Sequence, residues 1–416
     1  MHSIRRTLVV ALLLAVCAAA TVEAVEMKMY DGKRLAVLIE GWRGDGKLDV
    51  YLTSGEKITV ELMDVASIYY SGRPDHFIRT GDQKFIYNAG GHICAAIEQL
   101  EKGNVMKIRS QSLGRHVFPI KYLHGFTAMA VEGRASRLAD DLMRPDGIAK
   151  TEANAWLDHI LDRRGVPYSG VVENFTPREL SFEHDEQLQE VRISTFKVAG
   201  VRLALKTKDK PEGVDPIANL RVGIRCRDRS YLVGKLVKVD PFQWRVKPSW
   251  DEARTIDVPA NEITQVDVLG GRTVFLTHLK PTRVNENVMI APPQPYQKDA
   301  NSQGENMDIG GFIYHRGLGV HSFSEIEFDL AGKFKTFKAD VGIDGRLEKE
   351  GSVIFIVKGD DEEKFKSKLV KGKISGGGLP IEVDVTGVKK LLLKVDPTDD
   401  LDQADVANWG AARVIR

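Results

Sequence analysis

The sequence predicts a mainly β chain in two parts, several small β units followed by a C-terminal β-sandwich. Three observations carry that expectation. Short runs such as Lys57-Ile58-Thr59-Val60-Glu61-Leu62 and Glu325-Ile326-Glu327-Phe328-Asp329-Leu330 alternate polar and apolar residues, the mark of a half-buried strand. Glycine turns such as Gly44-Asp45-Gly46 and Ser54-Gly55 punctuate those runs. Helical spacing is confined to one stretch, Glu132 to Leu161.

The N-terminus reads as a leader. Arg5 and Arg6 precede the apolar run Leu8 to Val16, and Ala18-Ala19-Ala20 and Val22-Glu23-Ala24 resemble signal-peptidase sites. The expectation is a cleaved signal peptide over residues 1–24 and an exported chain, resting in the periplasm, on the cell surface or outside the cell. The run is too short to span a membrane, which takes about 20 apolar residues. Val16 before Cys17 fits a lipoprotein site poorly. Cys94 and Cys226 then remain, either paired or as two separate thiols in β-structure.

With 416 residues, 43% hydrophobic and 28% charged, the composition is that of a globular protein of two or more domains. A net charge of +1 gives no basis for attraction to nucleic acid or an anionic membrane.

From about residue 30 to 271 the chain repeats itself. Units begin near Arg34, Lys84, Asp158 and Leu220, each holding several short strands and a closing segment of the form apolar-x-x-apolar, such as Val65-Ala66-Ser67-Ile68. A period of roughly 40–50 residues suits a repeat array. Units of this size resemble small SH3 or Sm-type barrels, which bury little apolar surface alone and lean on their neighbours. The expected organisation is two β units over 30–129, a helical segment over 130–161, and two further units over 158–271. In the helical segment, Leu138 and Leu142 and then Ala155, Trp156, Ile160 and Leu161 form two short helices interrupted at Pro145-Asp146-Gly147. Lys206 to Ile217, with Pro211 and Pro216, reads as an exposed linker.

The last part, 273–416, starts at Val274-Phe275-Leu276. A loop rich in Pro, Gln and Asn (Ala291 to Glu305) leads to Phe312-Ile313-Tyr314, a corner at Gly317 and Gly319, and the alternating strand to Leu330. Phe337, Ala339, Val341 and Ile343 face one way. Val353 to Val357 is apolar on both faces and so central to a sandwich. Ile381, Val383 and Val385, then Leu391, Leu393 and Val395, complete roughly eight strands, which fits a jelly roll.

These residues carry a resemblance. Gly317-Leu318-Gly319-Val320-His321-Ser322-Phe323-Ser324-Glu325-Ile326 resembles the signature of the NPCBM family of carbohydrate-binding modules, found beside glycoside hydrolase family 98 catalytic domains. Further blocks follow in order: Phe337 to Asp344, Gly351 to Phe355, Asp384 to Leu391, and Asn408-Trp409-Gly410-Ala411-Ala412-Arg413. The resemblance implies a jelly-roll β-sandwich of the galactose-binding-like kind that takes a glycan, galactose-type sugars included, as its partner.

The candidate sugar ligands are Tyr314, His315, His321, Arg346 and Trp409, because sugar sites pair an aromatic face with polar groups that fix hydroxyls. The alternatives are that His321 satisfies a strand corner and that Trp409 fills the sandwich beside Phe355. The family pattern often has an Asp-His pair before this tryptophan; here Asp405 is followed by Val406, which puts the sugar preference in doubt. The loop from Asp396 to Asp405 offers Asp399, Asp400, Asp402 and Asp405 as Ca2+ ligands, or else is a solvated acidic loop. No nucleophile elbow, zinc motif, P-loop or dinucleotide fingerprint occurs. The expected function is therefore non-catalytic carbohydrate binding, with the front units as spacer or protein-binding surface. The alternatives are a structural or protein-interaction protein and a glycoside hydrolase.

Overall fold

Among the described residues of the front part, the alternating segments become twenty strands in four sets of five. The computed structural model describes residues 24–71, 76–79, 81–101, 105–131, 133–143, 157–185, 189–204, 220–286, 295–314, 316–345, 351–372, 378–398 and 405–416. The chain divides into two compact units between Leu269 and Gly270.

The first set comprises β1 (Val25–Met29), β2 (Arg34–Trp42), β3 (Lys47–Leu52), β4 (Lys57–Glu61) and β5 (Val65–Tyr69). The second comprises β6 (Asp82–Tyr87), β7 (His92–Glu101), β8 (Val105–Ser110), β9 (Gly114–Pro119) and β10 (Leu123–Ala128). The third comprises β11 (Asp158–Asp162), β12 (Pro167–Phe175), β13 (Glu179–His184), β14 (Glu190–Ser194) and β15 (Val198–Arg202). The fourth comprises β16 (Arg221–Cys226), β17 (Tyr231–Asp240), β18 (Gln243–Pro248), β19 (Ile256–Pro259) and β20 (Ile263–Leu269).

All four sets share one wiring. The first strand pairs antiparallel with the second and the fifth, the second with the third, and the third with the fourth. A single 3₁₀ turn joins the fourth strand to the fifth, at Leu62–Asp64, Ile120–Tyr122, Thr195–Lys197 and Ala260–Glu262. Its last carbonyl accepts a bond from the amide just after the first strand: Tyr30 N to Asp64 O at 2.8 Å, Asn88 to Tyr122 at 3.0 Å, Arg163 to Lys197 at 2.8 Å, Arg227 to Glu262 at 2.9 Å. The first hairpin turns through a left-handed residue each time, Gly32, Gly90, Gly165 and, in the fourth set, Arg229 at φ 70°. A bulge interrupts the second strand in every set, between Ile39 and Gly41, Ile97 and Gln99, Val172 and Asn174, and Leu236 and Lys238. Bulges sharpen twist, which lets so short a sheet curl into a barrel.

The barrels join in a nested order. β5 pairs with β20, placing Ile68 opposite Val266, and β10 pairs with β15, placing Phe126 opposite Val201. The fourth barrel touches the second through Trp250, stacked on Tyr87 at 4.3 Å. Phe126 stacks on Phe175 of the third barrel at 4.4 Å, and Trp244 Nε1 donates to Tyr70 Oη at 2.8 Å between the fourth and the first. One hydrophobic cluster runs through all four, from Val25 to Val268.

Two local expectations change. The first unit starts earlier than Arg34, at β1, whose Val25 and Met27 are buried. Only one helix, α1 (Gly133–Met143), forms among the described residues of the helical segment. Ile160 and Leu161 are instead in strand β11, opposite Tyr168 and Pro167 on one side and Val201 and Gly200 on the other. Two strand partners satisfy more backbone than a helix end would, so pairing overrides the spacing. Pro145-Asp146-Gly147, Ala155, Trp156, the stretch 206–217 expected as a linker and the N-terminal residues 1–23 expected as a leader lie outside the described residues. No helix among the described residues is long and apolar enough to cross a membrane.

The second compact unit is a β-sandwich. Its strands are β21 (Thr273–Phe275), β22 (Arg283–Glu286), β23 (Gln297–Lys298), β24 (Met307–Ile309), β25 (Phe312–Tyr314), β26 (Gly317–His321) and β27 (Ser324–Asp329). They continue with β28 (Thr336–Ile343), β29 (Ser352–Gly359), β30 (Glu362–Lys366), β31 (Val370–Lys371), β32 (Leu379–Asp384), β33 (Lys390–Pro397) and β34 (Val406–Ile415). One sheet runs β23-β26-β34-β28-β32 with β21 on β34; the facing sheet runs β22-β27-β33-β29-β30 with β31 on β29. Strand β34 is buried at every residue. Trp409 on β34 meets Phe355 on β29 edge to face at 5.0 Å, so their contact crosses the sandwich core. The stretch read from sequence as a loop before Glu305 contains β23 and the buried Asn301.

Two outcomes test this packing. A Cβ on Gly125 would lie 2.4 Å from the Val201 carbonyl and 2.8 Å from Met143 Sδ, at the joint between the second and third barrels. Gly125→Ala should therefore cost about 1–3 kcal/mol in urea unfolding, whereas Gly81→Ala, with nothing within 4 Å, should change stability by no more than about 0.5 kcal/mol. Phe355→Ala should cost about 3–5 kcal/mol by opening a cavity beside Trp409; a loss under about 1 kcal/mol would contradict a central β29.

Candidate functional site

The hairpin β24–β25 lies across the outer face of the β34 sheet, and glycine makes that approach feasible. A Cβ on Gly410 would meet the Tyr314 ring at 2.7 Å and Ile309 Cδ1 at 2.9 Å; one on Gly317 would meet Met307 Sδ at 2.9 Å. Met307 and Ile309 are fully buried beneath the hairpin. Its tip turns through Gly310 and Gly311, both at positive φ. Asp308 Oδ1 accepts the Gly311 amide at 2.8 Å and so fixes the turn.

Under the hairpin sits a buried polar group. Asp344 is 2% exposed. Its Oδ2 accepts from Asn408 Nδ2 at 2.9 Å, from Asn301 Nδ2 at 3.2 Å and from the Asp308 amide at 3.4 Å. Asn301 in turn accepts the amides of Gln303 and Glu305 at 3.0 and 2.9 Å. Asp344 thus ties β28, β34, the loop before β24 and the hairpin into one rigid base. Nearby, Arg316 is buried against Asp299 at 2.5 Å.

Above that base the surface is apolar and open. Phe312 is 57% exposed and Ile313 47% exposed. Tyr314 is half-buried, its Oη accepting the Gly378 amide at 3.4 Å. Leu379, which follows Gly378, is also exposed. Asp308 and Asp340 supply half-buried carboxylates at the edge of this tip, Asp340 lying against Gly378. Aromatic faces beside acceptor oxygens can pack on the C–H side of a pyranose and hold its hydroxyls.

The residues singled out from sequence fall in different places. Tyr314 is at this hairpin. Trp409 is not a surface platform: at 1% exposure it packs between Phe355 and Phe337, because an indole is the volume that fills the space between the two sheets. His321, at 4% exposure, ends β26 opposite Val406 and is likewise enclosed. His315, Arg346, Asp399, Asp400 and Asp402 lie outside the described residues. Asp405 is fully buried and its Oδ1 accepts the Ser352 amide at 2.9 Å, so this carboxylate is committed to the fold. Among the described residues no group of three or more His, Cys, Asp or Glu is placed to hold a metal ion. The sequence reading missed Asn301 and Asp308 and took Phe312 for an ordinary strand residue. An Asp before a Gly-Gly turn was the available signal for Asp308.

Asp344→Ala leaves the buried amides of Asn301 and Asn408 without this acceptor and should cost about 2–4 kcal/mol in chemical unfolding of the sandwich. A neutral result would mean that water replaces the carboxylate under the hairpin.

Comparison with known proteins agrees with where this unit begins and ends. Residues 272–415 match the NPCBM/NEW2 domain family. A Renibacterium salmoninarum protein named for endo-alpha-N-acetylgalactosaminidase activity is 30% identical over 194 residues, 42% of this chain, and the chain spans 13% of that protein's length. Among solved structures, CBM51 from Clostridium perfringens GH95, in complex with methyl-galactose, is 26% identical with a TM-score of 0.31, covering 34% of this chain and 99% of its own. The tandem CBM51 modules of Sp3GH98, a family 98 glycoside hydrolase from Streptococcus pneumoniae, are 14% identical with a TM-score of 0.30, covering 94% and 88%. Over residues 272–415, the chain is an NPCBM domain.

Proposed function

We propose that the NPCBM domain binds a glycan without cleaving it, on the face formed by the β24–β25 hairpin. The observation that carries this reading is the family match across the whole sandwich. The exposed Phe312 and half-buried Tyr314, set on a base held rigid by Asp344, support the location. A pre-ordered aromatic tip loses little conformational entropy when a sugar packs on it. Galactose-type sugars are the first class to test, and the partner is a glycan chain presented outside the cell that exports the protein. The four-barrel unit serves as a spacer or as a surface for a protein partner.

A second reading is favoured by the burial of Trp409 and His321: the sandwich acts as a protein-interaction fold and binds no sugar. A glycan array probed with the full chain, with calcium and with chelator, separates the two. Binding should appear, and Phe312→Ala should weaken it about tenfold or more, equivalent to about 1.4 kcal/mol, while leaving the melting temperature unchanged. No signal for any glycan up to millimolar concentration would favour the protein-interaction reading. Glycan binding that survives Phe312→Ala would move the site away from the hairpin.

A further inference from the structure

The four fifth strands meet in one register. In β5–β20, Ser67 lies opposite Asp267, Ile68 opposite Val266 and Tyr69 opposite Gln265. In β10–β15, Gly125 lies opposite Arg202, Phe126 opposite Val201 and Thr127 opposite Gly200. Counted from the 3₁₀ turn, each joint sets the third residue of one strand against the fifth of the other, and fourth against fourth. The backbone therefore gives β5 no reason to prefer β20 over β10 or β15. Nor do the fourth residues, since Ile68, Val266, Phe126 and Val201 all belong to one apolar cluster. Both other edges also emerge between β5 and β20 in the chain. The choice falls to the opposite face.

The third and fifth residues share that face, and the two joints fill it with different chemistry. At β5–β20 it is polar and sealed. Ser67 and Asp267 are fully buried, and Gln265 is 3% exposed. Asp267 Oδ1 accepts from Ser67 Oγ at 3.0 Å and from Gln265 Nε2 at 2.6 Å. Arg225 Nε stands 3.9 Å from Asp267 Oδ2. At β10–β15 the third residue of each strand is glycine, and α1 packs over both. A Cβ on Gly200 would lie 3.3 Å from Ala139 Cβ, and one on Gly125 would lie 2.8 Å from Met143 Sδ. His124 Nε2 donates to the Met143 carbonyl at 3.0 Å and pins the end of that helix.

We propose that this face is a partner code. A buried carboxylate and hydroxyl select β20 for β5, and two glycines beneath a helix select β15 for β10. Four edges can pair off in two other ways, and in the shared register both bring Asp267 opposite a glycine, Gly200 or Gly125. The carboxylate keeps Gln265, its neighbour on β20, but loses the Ser67 hydroxyl. A buried acid short of a donor is costly. Both alternatives also set Ser67 or Gln265 opposite Thr127, in the place of Gly200, where a side chain runs into Ala139 of α1. Each half of the code thus rejects what the other accepts. A single buried polar residue fixes register and partner number in coiled coils by the same logic.

The test separates partner choice from stability. In the full chain, Ser67→Ala, Gln265→Leu and Asp267→Leu together erase the polar half and leave the face filled and apolar, a change that need not destabilise. The control is Val266→Ala, which removes core volume and leaves the code intact. Each chain is unfolded in urea with reductant and refolded at low and at high protein concentration. Light scattering after size exclusion reads the assembly, and hydrogen exchange by mass spectrometry reads the β5 and β20 peptides. The control should match the wild-type chain in both. The triple variant should shift to larger species as concentration rises, with β5 and β20 peptides split into protected and unprotected populations. Ser67→Ala alone should move both readouts the same way by less, and it decides the question where the triple variant does not fold. A triple variant indistinguishable from the control would overturn the proposal and leave the network a local stabilising contact. Where only Ser67→Ala folds, the same result for it would do so.

Discussion

The front of this chain depends on one constraint, the open edge of a five-stranded barrel. A sheet so small curls only partway, and its fifth strand is left with a row of unpaired amides and carbonyls. Each fifth strand here finds another fifth strand. β5 meets β20, and β10 meets β15. The pairing both satisfies the backbone and lets the barrels' apolar interiors merge into one cluster. A buried polar bond marks the outer pairing, Ser67 Oγ to Asp267 Oδ1 at 3.0 Å, and Gln265 Nε2 reaches the same oxygen at 2.6 Å. Units too small to be stable singly thus become one body.

Much of this was legible in the sequence because it is local. Period-two alternation located most strands, and the apolar-x-x-apolar segment Val65-Ala66-Ser67-Ile68 marked the first of the fifth strands, β5; in the other units the segments read from sequence, such as Val117 to Ile120, fall on the fourth strands. β1 was not legible: Val25-Glu26-Met27-Lys28-Met29 is short and directly follows the apolar run that the sequence reading took for a leader, which obscures its own alternation. β11 was misread because Ile160 and Leu161 lie at a spacing that also suits a helix. Which fifth strand meets which could not be read at all, since partners such as Ser67 and Asp267 stand 200 positions apart and periodicity carries no information at that range.

The same limit applies to the sandwich. Residue type alone does not say whether a tryptophan lines a ligand site or fills a core, and Trp409 takes the second role because Phe355 and Phe337 converge on it. Phe312 stays on the surface for a backbone reason. Gly317 and Gly410 let the β24–β25 hairpin lie flat on the β34 sheet. That buries Met307 and Ile309 and turns Phe312 and Ile313 outward. The glycines of the family signature therefore act through the backbone: they set the height at which the hairpin's aromatics stand.

The nesting of the barrels has a consequence for synthesis. Emerging from the ribosome, the inner partners complete one another first, because β15 follows β10 after fewer residues than β20 follows β5. The outer pair closes last, like the final parenthesis of an expression. Until β20 has emerged, the edge of β5 stays open, and an open edge recruits whatever strand is nearest. A chain cut short between β15 and β20 would carry that edge permanently. Fragments of this kind belong with holding chaperones rather than free in solution.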